Sequence, residues 1–404
     1  RVDEDVSSDD TYVTAGSLEA ARHATGGVLQ GIDEMLSDEG LQHGLVLCRP
    51  PGHHASRARS SGFCLVNNVA IAAQYALQHG DIQRVLIFDW DVHHGQGSQQ
   101  IFDQSDDVLF VSFHRHDGHA FYPASGSPFE AGSGRGKGFT VNVALPEGFG
   151  DLALWSACAQ VLVPAVRSFK PDLVLVSAGF DAAEGDPLGG CSVTPQFFGL
   201  LTQEIVKLAA ESARGRVLLV LEGGYNVDVL AECVEDVMVA LVEEVDSGTP
   251  FSAAPDWLTG KSCQGPIRKT CEVHKGPPLR LPMPLSKSER KRSESMEAKT
   301  STVSDNGIGS EVNDVISDGP KEETFSTMVQ VSDGKLKVTI SPMADLPSEI
   351  LVSANEIRVL FPVHGEFLRW HLYGVLVEDL PLPRAKYSKM RQRPLLYLPM
   401  GQIS

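Results

Sequence analysis

Two hydrophobic patterns alternate through residues 1–257. Short β-rich runs, nearly continuous in Val, Leu and Ile, occur at Leu45–Cys48, Arg84–Phe88, Val108–Phe113, Asp172–Ser177 and Arg216–Leu221. Between them, Val66–Gln78, Leu152–Phe169, Pro195–Ala213 and Val227–Val245 carry apolar residues at three- and four-residue spacing, the period of a helix with one buried face. Strands that are apolar on both sides need cover on both faces. The pattern therefore predicts an α/β domain, a parallel sheet with helices on both faces.

Beyond residue 257 the alternation stops. Residues 258–324 are dominated by Ser, Lys, Glu, Pro and Gly, as in KSERKRSESMEAKTSTVSDNGIG. Such a stretch buries too little apolar area to offset chain entropy and reads as a disordered linker. Its Arg290-Lys291-Arg292 cluster offers a nuclear-import signal, although a solvated charge run is the plainer reading. Lys335–Ser341 then alternates strictly, with further β-like runs at Glu356–Phe361 and Leu395–Leu398 among frequent Pro and Gly. Residues 325–404 are thus expected to form a small all-β sandwich at the C-terminus.

Composition narrows the function classes. Lys+Arg number 34 against Asp+Glu 52, a net charge of -18 across 404 residues. So acidic a chain lacks a general phosphate-binding surface. Direct nucleic-acid binding is not expected, and action on chromatin would run through basic protein tails or recruited partners. The 7 cysteines show no C-x-x-C spacing, which argues against a disulfide scaffold or Cys-type zinc finger and for a reducing compartment. No apolar run approaches the roughly 20 residues needed to cross a bilayer, and neither a membrane span nor a signal peptide is expected. A start at Arg1 suggests a fragment or a processed product.

In an open parallel sheet, function collects beyond the carboxyl ends of the strands. Four of the expected strands run there into unusual polar sequence: LVLC into RPPGHHA, VLIFD into WDVHHGQG, LVLVSAG into FDAAEGDPLGG, and VLLVLE into GGYN. Asp91 and His93 stand two apart and share one side of an extended segment, and Asp181 follows another strand. Two carboxylates and one imidazole form a three-ligand set that leaves a position open, as catalytic zinc requires. Read alone, D-x-H fits an Asp–His hydrogen bond and a helix-capping Asp; the convergence of strand ends favours the metal. The doublet His53-His54 beside it suits general acid–base work, with Asp89 placed to fix one imidazole tautomer. Tyr225, after Gly223-Gly224, is either a turn residue or a phenol donor to an oxyanion.

The strings RPPGHHA (49–55), GFCLVNNVAIAA (62–73), DWDVHHGQGSQQ (89–100), SFHRHDGHAFYP (112–123), LVSAGFDAAEGDPLGG (175–190) and LEGGYN (221–226) occur in this order. With them the chain resembles the class II histone deacetylases. The resemblance implies an arginase-like fold over residues 1–257 and zinc-dependent hydrolysis of ε-acetyl-lysine to lysine and acetate. It places one zinc on Asp91, His93 and Asp181, with His54 as proton shuttle and His53 as its electrostatic partner held by Asp89. It makes Tyr225 the transition-state tyrosine. The acetyl-lysine channel falls on Gly62, Phe63, Tyr122 and Leu188, where Tyr122 replaces a common Phe. Structural potassium is implied at Asp89, Asp91, His93, Ser112 and Phe113, and at Phe102, Ser105, Val108 and Phe139.

The chain departs from the family pattern at two places. Residue 96 is Gln where Asn or Asp is usual, which leaves the second histidine's orienting partner open. Arg1 also begins well inside the family domain, so the opening strand and helices lack a counterpart; Asp9 or Asp10 is the candidate rim acid. An exposed sheet edge left there is an expected aggregation liability. The C-terminal segment resembles the CS β-sandwich of co-chaperone and dynein-assembly proteins, which implies a protein-docking surface.

These readings carry partners and rivals with them. Acetylated histone tails or other acetylated proteins are the implied substrates, with co-repressor or chaperone partners, a role in chromatin regulation and transcription repression, and residence in nucleus or cytoplasm. The rivals are an acetylpolyamine-type amidohydrolase and a catalytically impaired scaffold. A binuclear manganese ureohydrolase would need more Asp ligands where this chain has Gly95-Gln96 and Ala182-Ala183.

Overall fold

The computed structural model describes residues 13–37, 41–118, 120–243 and 248–284, and only the strands between 326 and 399. Asp9 and Asp10 lie outside the described residues, as does most of the expected linker. The elements in chain order are α1 (Ser17–Leu36), β1 (His43–Val46), α2 (Asn68–Ala76), β2 (Val85–Asp89), α3 (Gln96–Phe102), β3 (Val108–Arg115) and β4 (Thr140–Leu145). Next come α4 (Asp151–Ala157), which continues through a π-turn at Cys158–Leu162 into α5 (Val163–Phe169), then β5 (Leu173–Ala178), α6 (Pro195–Ala210), β6 (Val217–Leu221), α7 (Val227–Val242) and α8 (Gln264–Val273).

The six strands make one sheet in the order β1-β6-β5-β2-β3-β4, with every neighbouring pair parallel. Alternate residues of each central strand feed two separate cores. Leu86 and Phe88 of β2 pack with Val174 and Val176 of β5 against α4–α7, whereas Val85, Ile87, Leu173 and Leu175 pack against α1 and α2. The expected sheet covered on both faces is what forms, because side chains of period two need apolar partners above and below. β1 stands at one edge and is half-buried along its length.

Four elements of this domain depart from the sequence expectation, the short α3 among them. Helix α1 was not expected, because Gly26-Gly27 and Gly31 interrupt its pattern. Those glycines let it lie close on the sheet: a Cβ at Gly31 would press on Leu218, and one at Gly27 would touch Val46. Strand β4 (TVNVAL) hides its apolar residues behind a buried Thr140 and Asn142.

Helix α8 is the largest correction, since residues 258–284 belong to the folded domain and not to a disordered linker. Ile267, Thr270 and Cys271 are buried, and the Thr270 hydroxyl donates to the Asn142 carbonyl of edge strand β4 at 2.7 Å. Leu279 and Leu281 follow it into the core. Five buried apolar residues, Leu258 among them, spread through a polar stretch give a low mean hydropathy, yet they suffice to cover a sheet edge.

One helical run, Asp151–Phe169, is by length and composition apolar enough to cross a bilayer, against the sequence expectation; most of it is buried inside the fold. Its apolarity is spent on the core under β2 and β5.

In the C-terminal part the described strands are β7 (Ser326–Ser332), β8 (Lys335–Ser341), β9 (Glu349–Val352), β10 (Glu356–Leu360), β11 (Phe367–His371), β12 (Arg384–Ser388) and β13 (Arg393–Pro399). They pair antiparallel in the orders β12-β13-β8-β7 and β11-β10-β9.

Candidate active site

The sheet delivers its chemistry at the carboxyl ends of β2, β5 and β6 and in the loop after β1. Past β2 the backbone folds on its own carboxylates: Asp91 N donates to Asp89 Oδ1 at 3.2 Å and His93 N to Asp91 Oδ1 at 2.8 Å. Asp181, beyond β5, accepts from Val92 N at 2.9 Å, and Gly223 N, beyond β6, donates to Asp91 Oδ2 at 2.9 Å. These bonds draw Asp91, His93 and Asp181 together, all buried, with one ligand atom of each within 4.8 Å of the others. His93 Nδ1 lies 3.1 Å from Asp91 Oδ1 and 2.9 Å from Asp181 Oδ2.

The electrostatics of the trio call for a cation. Burial and the Asp91 charge push Asp181 up to about 6. Burial opposes ionisation of Asp91 too, but the imidazoles of His53, His93 and His54 hold its carboxyl below the usual range. Burial likewise disfavours a charged His93, yet Asp181 and Asp91 raise it to about 10. Two carboxylates and an imidazole pressed into one buried volume fit a divalent metal ion. The chain keeps that volume open: a Cβ at Gly179 would strike the Asp91 carboxylate, and one at Gly223 those of Asp181 and Asp91. Among the described residues this is the single group of three such ligands, consistent with one metal and not with the binuclear arrangement.

Both histidines of the doublet lie in the same pocket, rings 3.9 Å apart, in different electrostatic states. His53 Nδ1 donates to Asp89 Oδ2 at 3.0 Å, and its Nε2 is 3.8 Å from Asp91 Oδ2. Burial alone would lower its pKa, but Asp89, Asp91 and Glu222 raise it well above the ordinary value. His54 is held well below the ordinary value by burial and by the neighbouring His53. The departure at residue 96 costs His54 no partner: Gln96 Oε1 accepts from its Nδ1 at 2.6 Å, the longer side chain reaching what a shorter amide would. With Nδ1 so bonded, His54 Nε2 is left as the basic nitrogen.

Tyr225 follows Gly224, whose φ of 136° a larger residue rarely adopts. Asp186 fixes the tyrosine's backbone: Oδ2 accepts from Tyr225 N at 2.7 Å, while Oδ1 accepts from Leu188 N at 2.8 Å and Gly189 N at 3.1 Å. Burial and then the Asp91 and Asp181 charges push the phenol far above its ordinary pKa, so it stays protonated as a donor. Phe63, Tyr122 and Leu188 are large apolar side chains left 45%, 37% and 46% exposed, against the general tendency to bury them. Tyr122 stands edge-on to His54 at 5.0 Å, and Phe63 edge-on to Tyr225 at 6.0 Å, so both border the catalytic side chains. Gly62 is buried between them: a Cβ there would meet the His54 ring and the Tyr122 hydroxyl.

The residues assigned to potassium sort into two places. Asp89 and Ser112 are register partners on β2 and β3, and Asp91, His93 and Phe113 are buried beside them, with the Ser112 hydroxyl on His114 Nδ1 at 2.9 Å. Phe102 and Ser105 close the turn after α3, Val108 opens β3, and the Phe139 carbonyl accepts from Phe110 N at 2.9 Å.

Four supporting residues were not singled out by sequence. Glu222 is buried, accepts from Gly52 N at 2.7 Å, His53 N at 3.1 Å and the Ser177 hydroxyl at 3.0 Å, and is pushed up to about 7 by burial. It ties the histidine loop to the end of β6. Asp186 plays the corresponding part for Tyr225. Phe121 stacks flat on His93 with ring centres 4.9 Å apart, and Arg115 covers its other face at 4.3 Å. Glu222 and Asp186 stand inside quoted motifs next to glycines, and the backbone N–H groups of such turns need acceptors; that was the available signal.

The family model described as Histone deacetylase domain matches residues 1–241, more than half of the chain. The chain belongs to the histone deacetylase domain family. Histone deacetylase 6 of Caenorhabditis elegans is 44% identical over 273 residues, covering 65% of this chain and 28% of its own length. Histone deacetylase 7 of Homo sapiens is 44% identical over 243 residues, covering 59% and 25%. The solved structure titled Crystal Structure of HDA15 HD domain superposes with a TM-score of 0.59 at 38% identity, covering 66% of this chain and 72% of that one. This histone deacetylase domain thus spans little more than a quarter of the length of those two curated relatives.

Proposed function

We propose that this chain is a zinc-dependent protein lysine deacetylase that hydrolyses ε-acetyl-lysine to lysine and acetate. The observation that carries the reading is the buried Asp91–His93–Asp181 trio flanked by two histidines of opposite character and a protonated tyrosine. Zinc held by those three side chains supplies Lewis acidity to an amide carbonyl and to water. His54, neutral and oriented by Gln96, takes the proton of the attacking water at Nε2. His53, kept cationic by Asp89, gives positive charge beside the developing oxyanion, and the Tyr225 hydroxyl donates to that oxygen. A histidine N–H then protonates the leaving lysine amine. Phe63, Tyr122 and Leu188 enclose the apolar four-carbon stem of the lysine. The two groups of residues named above are the proposed potassium positions.

Acetylated proteins, histones among them, are the proposed substrates, and the class II assignment rests on the motif strings. The strands after residue 325 are proposed to be a CS-like sandwich that docks co-repressor or chaperone partners; limited proteolysis that releases no stable C-terminal fragment would remove that part of the reading. The full chain, loaded with zinc, should release acetate from an acetyl-lysine peptide and be blocked by a hydroxamate. Turnover of acetylated polyamines without turnover of the peptide would shift the assignment to the small-molecule amidohydrolases.

A further inference from the structure

The Ser61 and Tyr122 hydroxyls are 2.6 Å apart, and nothing in the catalytic scheme uses that contact. It joins the two loops that carry Phe63 and Tyr122. One is the tight turn Ser61–Cys64, closed by Cys64 N on Ser61 O at 2.9 Å and Ser61 N on Cys64 O at 3.1 Å. Its two central residues, Gly62 and Phe63, both have positive φ, 51° and 65°. That backbone suits Gly62, but a Phe adopts it only where its surroundings hold it there. The other loop carries Tyr122, whose ring stands edge-on to both His54 and His93, at 5.0 Å and 6.1 Å. One loop therefore carries a Phe on a left-handed turn, and the other carries a Tyr set against His54 and His93. The Ser61–Tyr122 hydroxyl contact joins the two.

We propose that the Ser61–Tyr122 hydroxyl pair is a latch that holds the two channel walls, Phe63 and Tyr122, at one separation, which makes Ser61 a positioning residue for the substrate's lysine stem. The inference rests on the deacetylase reading of the site. A wall held at fixed spacing acts on binding and not on bond breaking, because neither hydroxyl belongs to the group that moves protons. The bond lies at an exposed mouth where water competes, so its effect belongs at the low end for one hydrogen bond.

Steady-state kinetics of the zinc-loaded full chain on an acetyl-lysine peptide test it. Ser61→Ala and Tyr122→Phe should each raise KM roughly two- to tenfold, the equivalent of one net hydrogen bond, with kcat held. The double variant should be no worse than either single one, since both remove the same contact. Ser61→Thr, which keeps a hydroxyl, should restore the low KM. Additive losses in the double variant, a fall in kcat at constant KM, or Ser61→Thr behaving like Ser61→Ala would overturn the latch. Absence of turnover in the unaltered chain would instead overturn the deacetylase reading. The latch would then be read from melting temperatures: a double variant matching the singles supports it, and additive shifts reject it.

Discussion

At the scale of single residues, Tyr225 is placed by its backbone and used through its hydroxyl. Asp186 bonds the amide of Tyr225, not the phenol, and Gly224 supplies the turn, so removal of the hydroxyl leaves the residue where it is. Tyr225→Phe should therefore lower kcat by roughly 10²–10³, the usual loss for one oxyanion donor, with the melting temperature unchanged. Peptide turnover measured beside a thermal melt checks this; full turnover would reduce Tyr225 to a turn residue. The two histidines make the same point about environment. Adjacent in sequence and 3.9 Å apart in space, they separate into a cation and a base because Asp89, Asp91 and Glu222 raise His53, whereas burial and the neighbouring His53 lower His54. The trio, the doublet and Tyr225 were legible in the sequence because their residue types follow directly on strand ends. Glu222 and Asp186 were not, since their work is to accept backbone N–H groups, and a carboxylate's partner of that kind leaves no side-chain pattern.

Among the elements, legibility followed continuity of the apolar pattern. β2, β3, β5 and β6, apolar on both sides, were read within a few residues, as were α2, α6 and α7, each opened by a capping Asn or Thr: Asn67, Thr194 and Asn226. Apart from the short α3, the elements that escaped are those at the sheet's periphery, where apolar residues are diluted. In α1 glycines take their place for close packing, in β4 buried Thr and Asn do, and in α8 a polar stretch holds only the few side chains that touch the sheet. Helix α8 gives the sharpest test of that account. Ile267 is fully buried, so Ile267→Ala should destabilise the domain by about 2–5 kcal/mol in urea unfolding, the range for emptying such a site. A change within about 0.5 kcal/mol, typical of an exposed position, would return residues 258–284 to a linker.

As a whole molecule the chain combines a strongly acidic composition with a buried site that, among the described residues, holds the single three-ligand group. A net charge of -18 favours encounter with basic polypeptides such as lysine-rich tails and disfavours phosphate backbones. All strands of the sheet are parallel, so their carboxyl ends meet at one side, and side chains from positions 53 to 225 converge there. The convergence of Asp91, His93 and Asp181 on one cation is the claim on which the rest depends. Elemental analysis of the purified full chain, after zinc loading and removal of loosely held metal, tests it directly. The account predicts one zinc per chain, lost in Asp181→Ala; two metals per chain, or full zinc retention in that variant, would contradict it.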